Sequence, residues 1–389
     1  MTNYTVSSCV LVCPETKIPL RECSLHEASE LIAGSSWLTW RQEGLPRAFG
    51  PTDRVLLRQD LACAYPIVNG IPVLLPPEML FAERAHRRFD LKNTIWAEAY
   101  EEMEHYNSMY ATETAQLSAG AASPFPPDLV EHVSTFPFPG HIWLDAAHDA
   151  LGQLDCFLHL GNIRGRTVAQ LGGKGLHAVK FLIAGAKEAW VISPMIGECL
   201  YAIALARRYS VEHKLRCVVA VGEQLPFSDD SLDAVFSGGC LHHMVVSRVA
   251  TELNRVLAPG GKFCAYDPWK TFLHGLGTRI LGKREEGVYC KPLNAERLRP
   301  LCETFKKIEI KQHGPIIRYL TIAACKVLKR QLPIQYGYPI GRFEDALFGQ
   351  FRFFRKRGGS AAVLVTKEEH AGEIMQQTAS PPLVLEPIS

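Results

Sequence analysis

The stretch VAQLGGKGLHAVKF, residues 168–181, constrains this chain more than any other: an apolar run ends in glycines and leaves as a helix. Glycine takes backbone angles closed to other residues and lets a ligand approach the main chain. A strand, a bare turn and a helix in that order therefore predict a small-cofactor cradle. From 167 onward apolar runs alternate with helical segments. TVAQL, EAWVIS, LRCVVAV, LDAVFSGG and KFCAYDP read as strands, whereas HAVKFLIAG, GECLYAIALARRY and SRVATELNRVL read as helices. NAERLRPLCETF and KKIEIKQ continue the alternation, and SAAVLVTK (360–367) supplies the last strand. Such a pattern predicts an α/β architecture, a mostly parallel sheet with helices on both faces. In it, ligands bind at the carboxyl ends of the strands, beside the point where strand order reverses.

Three cofactor classes use such a turn. A phosphate loop needs G-x-x-x-x-G-K-[ST], which GGKGLH does not supply. A dinucleotide fingerprint fits as Gly173-Lys-Gly175-Leu-His-Ala178, but the next strand, AWVISPM, brings no acid for the ribose. For the third class, the ordered segments GEQLPFSDDSLDAVFSGGCLHHM (222–244) and ELNRVLAPGGKFCAYDP (252–268) carry the argument. Glu223, Leu225, Pro226, Phe227, Asp233, Val235, His242, His243, Arg255, Val256, Leu257, Pro259, Gly260 and Gly261 fall in sequence on one motif pattern. That pattern resembles the class I, Rossmann-like S-adenosylmethionine-dependent methyltransferases of the ubiquinone and menaquinone C-methylation type, over about 165–270.

The resemblance implies a seven-stranded sheet with S-adenosyl-L-methionine as cofactor. Carried onto this chain, the cofactor-binding residues would be Gly172, Gly173, Gly175, Ser193, Glu198, Glu223, Gln224, Leu225 and Gly238. Leu225-Pro226-Phe227 would wall the adenine, Asp233 would orient the start of the fourth strand, and Gly260 and Gly261 would only turn the chain. Three departures matter. Gln170 stands where relatives carry an acid, Val191-Ile192-Ser193 lacks the carboxylate that grips both ribose hydroxyls, and Val221 replaces the acid near the adenine. Glu198, early in the next helix, is the candidate replacement for the ribose anchor; a first-turn acid favoured by the helix dipole is the other reading.

Methyl transfer is an in-line displacement, so a protein of this class positions a nucleophile about 3 Å from the methyl carbon and removes a proton where needed. His242 and His243, after the fourth strand, and Asp267, at the end of the fifth, are the catalytic candidates; the alternatives are packing for one histidine and turn capping for the aspartate. Tyr106 and Asn107, in a polar helical stretch that also holds Tyr100, would cover the site and touch the acceptor, or else pack on the core. Arg352, in GQFRFFRKRGG, would receive an acidic or aromatic acceptor unless the run is a solvated edge.

Ahead of this core, VLVCPETKIPL and AYPIVNGIPVLLPPE resemble the small zinc-ribbon-like activators of tRNA and protein methyltransferases. Of the metal positions only Cys13 is kept; the others fall on Thr16, Arg58 and Leu61, so no metal is expected, although Cys9, Cys13, Cys23 and Cys63 leave another geometry open. The expected organisation is an α+β module at 1–78, a helical connector and linker at 79–142, the core at 143–368 with insertions at about 269–290 and 313–358, and a disordered tail at 369–389. The 42 basic and 40 acidic side chains nearly cancel, which argues against nucleic acid and anionic membrane as general partners. Twelve scattered cysteines with no C-x-x-C pair, no long apolar run and no signal-like start predict a cytoplasmic protein with reduced thiols. A small-molecule methyl acceptor in specialised metabolism is the leading expectation, with a homodimer allowed. A non-methylating enzyme on the same fold and a degenerate partner subunit stay open.

Overall fold

The computed structural model describes residues 10–32, 53–80, 96–137, 142–271, 291–351 and 358–369. Five strands have the makings of a parallel sheet: β5 (Thr167–Leu171), β6 (Glu188–Ser193), β7 (Leu215–Val219), β8 (Leu232–Gly238) and β9 (Leu257–Pro268). They are short apolar runs, and β5 and β6 are buried at every position, as strands covered on both faces must be. With β10 (Lys307–His313) and β11 (Ser360–Thr366) the order is β10-β11-β9-β8-β5-β6-β7, and β11 runs antiparallel to both neighbours. This is the expected seven-stranded Rossmann-like sheet.

The chain winds β5, β6, β7 in one direction and then returns to β8 on the other side of β5. Right-handed crossovers place the helices of the two directions on opposite faces. Those helices are α4 (Leu176–Ile183) and α5 (Ile196–Arg208) on one side of the reversal, and α6 (Val246–Val256) and α7 (Ala295–Thr304) on the other. The reversal opens a crevice between the carboxyl ends of β5 and β8. Asp233 accepts the Thr167 backbone N–H at 2.7 Å, tying the starts of these two strands together.

The N-terminal segment forms its own antiparallel sheet in the order β1-β2-β3-β4: β1 (Leu20–Ser24), β2 (Arg54–Arg58), β3 (Ala64–Val68) and β4 (Ile71–Pro72), with α1 (Leu25–Leu31) after β1. Asn69 and Gly70 both have positive φ, the turn chemistry that VNG predicts for the β3–β4 hairpin. The module is sewn to the large sheet by backbone: Leu74 N–H donates to Val219 O at 2.8 Å, Val12 N–H to Pro226 O at 3.0 Å, and Leu11 bridges Phe227. Of the four cysteines left open as an alternative metal set, Cys13 meets the Tyr65 hydroxyl at 3.2 Å and the Arg58 guanidinium at 3.8 Å. No three potential ligands gather at a metal-binding distance among the described residues.

Four further helices flank these sheets. α2 (Ala97–Ser118) falls within the expected polar connector and packs along α5; α3 (Ala150–Leu160) precedes the glycine turn and packs on β9 and β11. Between β10 and β11, the insertion at 313–358 contains α8 (Ile317–Leu328) and α9 (Ile334–Phe348). The Tyr106 and Asn107 side chains, Arg352 and the tail beyond 369 lie outside the described residues.

Candidate active site

The glycine turn after β5 is shaped from within. Gly172, Gly173 and Gly175 all take left-handed φ near +76°. A Cβ on Gly172 would stand 2.5 Å from Cys240 Sγ, and one on Gly175 would collide with Ala202 on α5. Gln170 staples the loop: its Nε2 donates to Gly172 O at 2.8 Å and its Oε1 accepts the Ala178 N–H at 2.9 Å. The amide thus holds the turn closed rather than contacting a ligand. Gly175, expected to hold the cofactor, packs against Ala202 and is not among the residues that line the cleft.

The cleft lies at the strand tips and has a volume of about 240 Å³. One water needs roughly 10–15 Å³ by this measure, so there is room for a ligand of many atoms. Gly172, Gly173, Glu198, Glu223 and His243, expected from sequence, all line it. Glu198 is the most constrained of them. It is 2% exposed, its Oε2 accepts the Ser193 hydroxyl at 2.7 Å, and it also takes hydrogen bonds from the Tyr110 hydroxyl and the Gly173 N–H. Burial lifts its carboxyl to about 7, against the pull of those donors and of Lys174. Ser193 does not line the cleft; its Oγ also accepts the Met195 N–H at 3.0 Å, so it orients Glu198 at the start of α5.

At the end of β8 the chain turns through Leu241–His243. Asp267 Oδ1 accepts the His242 backbone N–H at 3.1 Å and lies 2.7 Å from His242 Nδ1. A carboxylate only accepts, so Nδ1 is the donor in this hydrogen bond. The His242 and His243 rings lie against each other, tilted by 43° with centroids 3.9 Å apart, and Arg297 braces the turn by donating to His242 O at 2.9 Å. Burial lowers His243 to about 3, helped by the positive surroundings of His242, Arg297 and Lys291. Burial also raises Asp267, which is 1% exposed. Only His243 of the three faces the cleft; His242 and Asp267 stand behind it.

The Leu-Pro-Phe segment does not wall the cleft. Leu225 and Phe227 are wholly buried, the Leu225 carbonyl accepts from Arg255 Nη2 at 2.8 Å, and Phe227 packs edge-on against Trp190. Their other neighbour is the N-terminal module, through the Leu11–Phe227 bridge. Gln224 is also off the cleft. Gly238 is too; a Cβ there would press on Tyr266 at 3.0 Å. Glu223, in contrast, lines the cleft while its Oε1 holds the Val245 N–H at 2.9 Å. Sequence reasoning missed Tyr110, Cys240 and Met244 as lining residues. Tyr110 lies one helical turn beyond Tyr106 on the same face of α2, so the covering helix was visible in the sequence although this residue of it was not named.

Residues 197–265 match the family model of a methyltransferase domain. The fold is the Rossmann-like fold of class I methyltransferases. No curated protein matches the chain by sequence. Among solved structures, the [4+2]-cyclase SpnF is 18% identical, with 68% of this chain and 96% of that one covered at a TM-score of 0.42. Geranyl diphosphate C-methyltransferase from Streptomyces coelicolor A3(2), solved with Mg2+, geranyl diphosphate and S-adenosyl-L-homocysteine, is 14% identical over 67% of this chain and 98% of that one, TM-score 0.42. Phosphoethanolamine N-methyltransferase 2 from Haemonchus contortus, in complex with S-adenosyl-L-methionine, is 16% identical over 56% of this chain and 52% of that one, TM-score 0.39.

Proposed function

We propose that this chain transfers a methyl group from S-adenosyl-L-methionine to a small-molecule acceptor in specialised metabolism. The observation that carries the reading is Glu198, a buried carboxylate beside the Gly173 amide in a cleft at the point of strand reversal. The residues present suit a nucleoside with a vicinal diol. Side chains at Gly172 would fill the floor of the turn, Gly239 leaves open space at the tip of β8, and an ionised Glu198, which already holds Ser193, Tyr110 and the Gly173 amide, keeps an acceptor position for one ribose hydroxyl.

When bound, the sulfonium supplies an electrophilic methyl carbon. Glu198 takes the ribose role that the end of β6 lacks, with Ser193 and Tyr110 fixing its direction. Val221, Met195 and Met244 give the cleft apolar contact in place of a carboxylate near the base. His243, neutral because burial forbids its charge, presents a hydrogen-bond acceptor to the acceptor's nucleophile. His242 and Asp267 hold the turn on which it sits.

The test is turnover. Full-length protein incubated with the donor and a panel of small nucleophiles should release S-adenosylhomocysteine and yield a product heavier by one CH2. Product formed without that mass gain, or acceptor consumed with no homocysteine derivative released, would overturn the reading in favour of non-methylating chemistry.

A further inference from the structure

The two helices inserted between β10 and β11 carry six of the thirteen exposed large apolar side chains among the described residues. Leu320, Val327 and Leu328 on α8 are 63%, 79% and 67% exposed, and Tyr336, Phe343 and Leu347 on α9 are exposed as well. The spacing is helical on both: 320, 327 and 328 share one side of α8, whereas Arg318, on the opposite side, is buried against Asp149. On α9, Gly337 and Gly341 press on Ala147 and Leu151, so 336, 343 and 347 form a stripe turned away from the body. Soluble proteins rarely leave such a patch without a partner.

Charge indicates which partner. Lys326 on α8, Lys329 and Arg330 just past its end and Arg342 on α9 are all exposed. The two acids of this segment are both engaged: Glu344 caps the α8 amides of Ile317 and Arg318, and Asp345 pairs with His313. Arg318 is spent on Asp149, residues 317–351 hold no further acid beside these four basic side chains, and in sequence the run 317–357 is net +7 in a chain of net +2. The rest of the molecule is thus net −5. Protein interfaces are depleted in lysine at their cores, whereas apolar helix faces edged by Lys and Arg are the signature of segments that lie in an anionic lipid interface.

We propose that the α8–α9 face docks this protein reversibly onto an anionic membrane surface. The near-neutral balance of the whole chain hides this because the charge is segregated. β10 runs parallel to β9, so the two helices spring from the same edge of the sheet as the cleft. Docking there keeps the site beside the lipid, where an apolar acceptor would concentrate.

The experiment is co-sedimentation of the full-length protein with vesicles of phosphatidylcholine alone and of phosphatidylcholine with phosphatidylserine. Binding should appear only with the anionic vesicles and should fall sharply between about 0.1 M and about 1 M salt, as the screening length drops from roughly 10 Å to 3 Å. Reversing Lys326, Lys329 and Arg330 to Glu should weaken it by at least roughly fivefold per cation. Phe343→Asp with Leu347→Asp should abolish it, and both variants should keep wild-type affinity for S-adenosylhomocysteine, which shows that they fold. Supernatant protein with both vesicle types overturns the proposal. So does a concentration-dependent dimer in sedimentation velocity that the Asp variants dissolve, because a second copy then covers the face. Neither result bears on methyl transfer, which is read independently.

Discussion

His243 is held neutral at any working pH because its charged form would be buried beside other cations. A lone histidine of ordinary pKa would show an inflection near 6.5; this one should not. His243→Ala should lower kcat by roughly 10²-fold or more, in the range of a lost acid–base or positioning group. Its affinity for S-adenosylhomocysteine should change little, and the wild-type kcat at saturating S-adenosylmethionine, where the Glu198 titration near 7 no longer limits binding, should show no step near 6.5. Initial rates from pH 5.5 to 9 check both points. The sequence placed two adjacent histidines at the tip of a strand but could not say which faces the ligand. A hydrogen bond to Asp267, 25 positions later, decides it.

At the scale of elements, the glycine turn separates packing from ligand space. Gly175→Ala adds a methyl that collides with Ala202 and demands a left-handed residue, and should cost about 3 kcal/mol or more in urea unfolding. Gly239→Ala, with nothing within 4 Å, should cost only the backbone term of about 1–2 kcal/mol. The α8–α9 insertion hangs on another contact. His313 is pinned between Asp155 on α3 at 2.7 Å and Asp345 on α9 at 2.8 Å. Burial alone would lower it, but the two carboxylates prevail and lift it to about 9. Its folded pKa lies above the unfolded 6.5, so the stabilisation is complete below pH 6.5 and is lost as pH rises through 9. Amide exchange in α8 and α9 should therefore quicken above pH 9 beyond its intrinsic rise, and His313→Gln should quicken it already at pH 7. β5, β6 and β11 were legible because each is a short buried run between turn residues, whereas β10, with no buried position, was read only from the alternation it continues. These two helices were not: Pro339 sits inside α9 and reads in sequence as a break.

For the molecule as a whole, the N-terminal module and the large sheet share backbone bonds and one continuous apolar core, through Val73, Leu74, Val219 and Phe227. Thermal unfolding followed by near-UV and far-UV circular dichroism should give one coincident transition; two separated ones would mean that the seam contributes little. This seam also explains the misread Leu-Pro-Phe motif. A motif gives residue types in order, whereas the face those residues meet depends on a segment more than 200 positions earlier. The cleft has the same character, since α2, the glycine turn, the start of α5 and the tip of β8 meet only in the folded chain. Glu198 stands at that meeting point, so calorimetry with S-adenosylhomocysteine on wild type and Glu198→Gln, from pH 6 to 8.5, tests the central claim most directly. The ionised carboxylate is the acceptor and its pKa is about 7, so wild-type affinity should fall roughly tenfold from pH 8.5 to 6. Glu198→Gln should be weaker by about 10- to 100-fold at pH 8.5 and flat with pH. Absence of binding at millimolar ligand, or a glutamine variant that binds as the wild type does, would contradict the account.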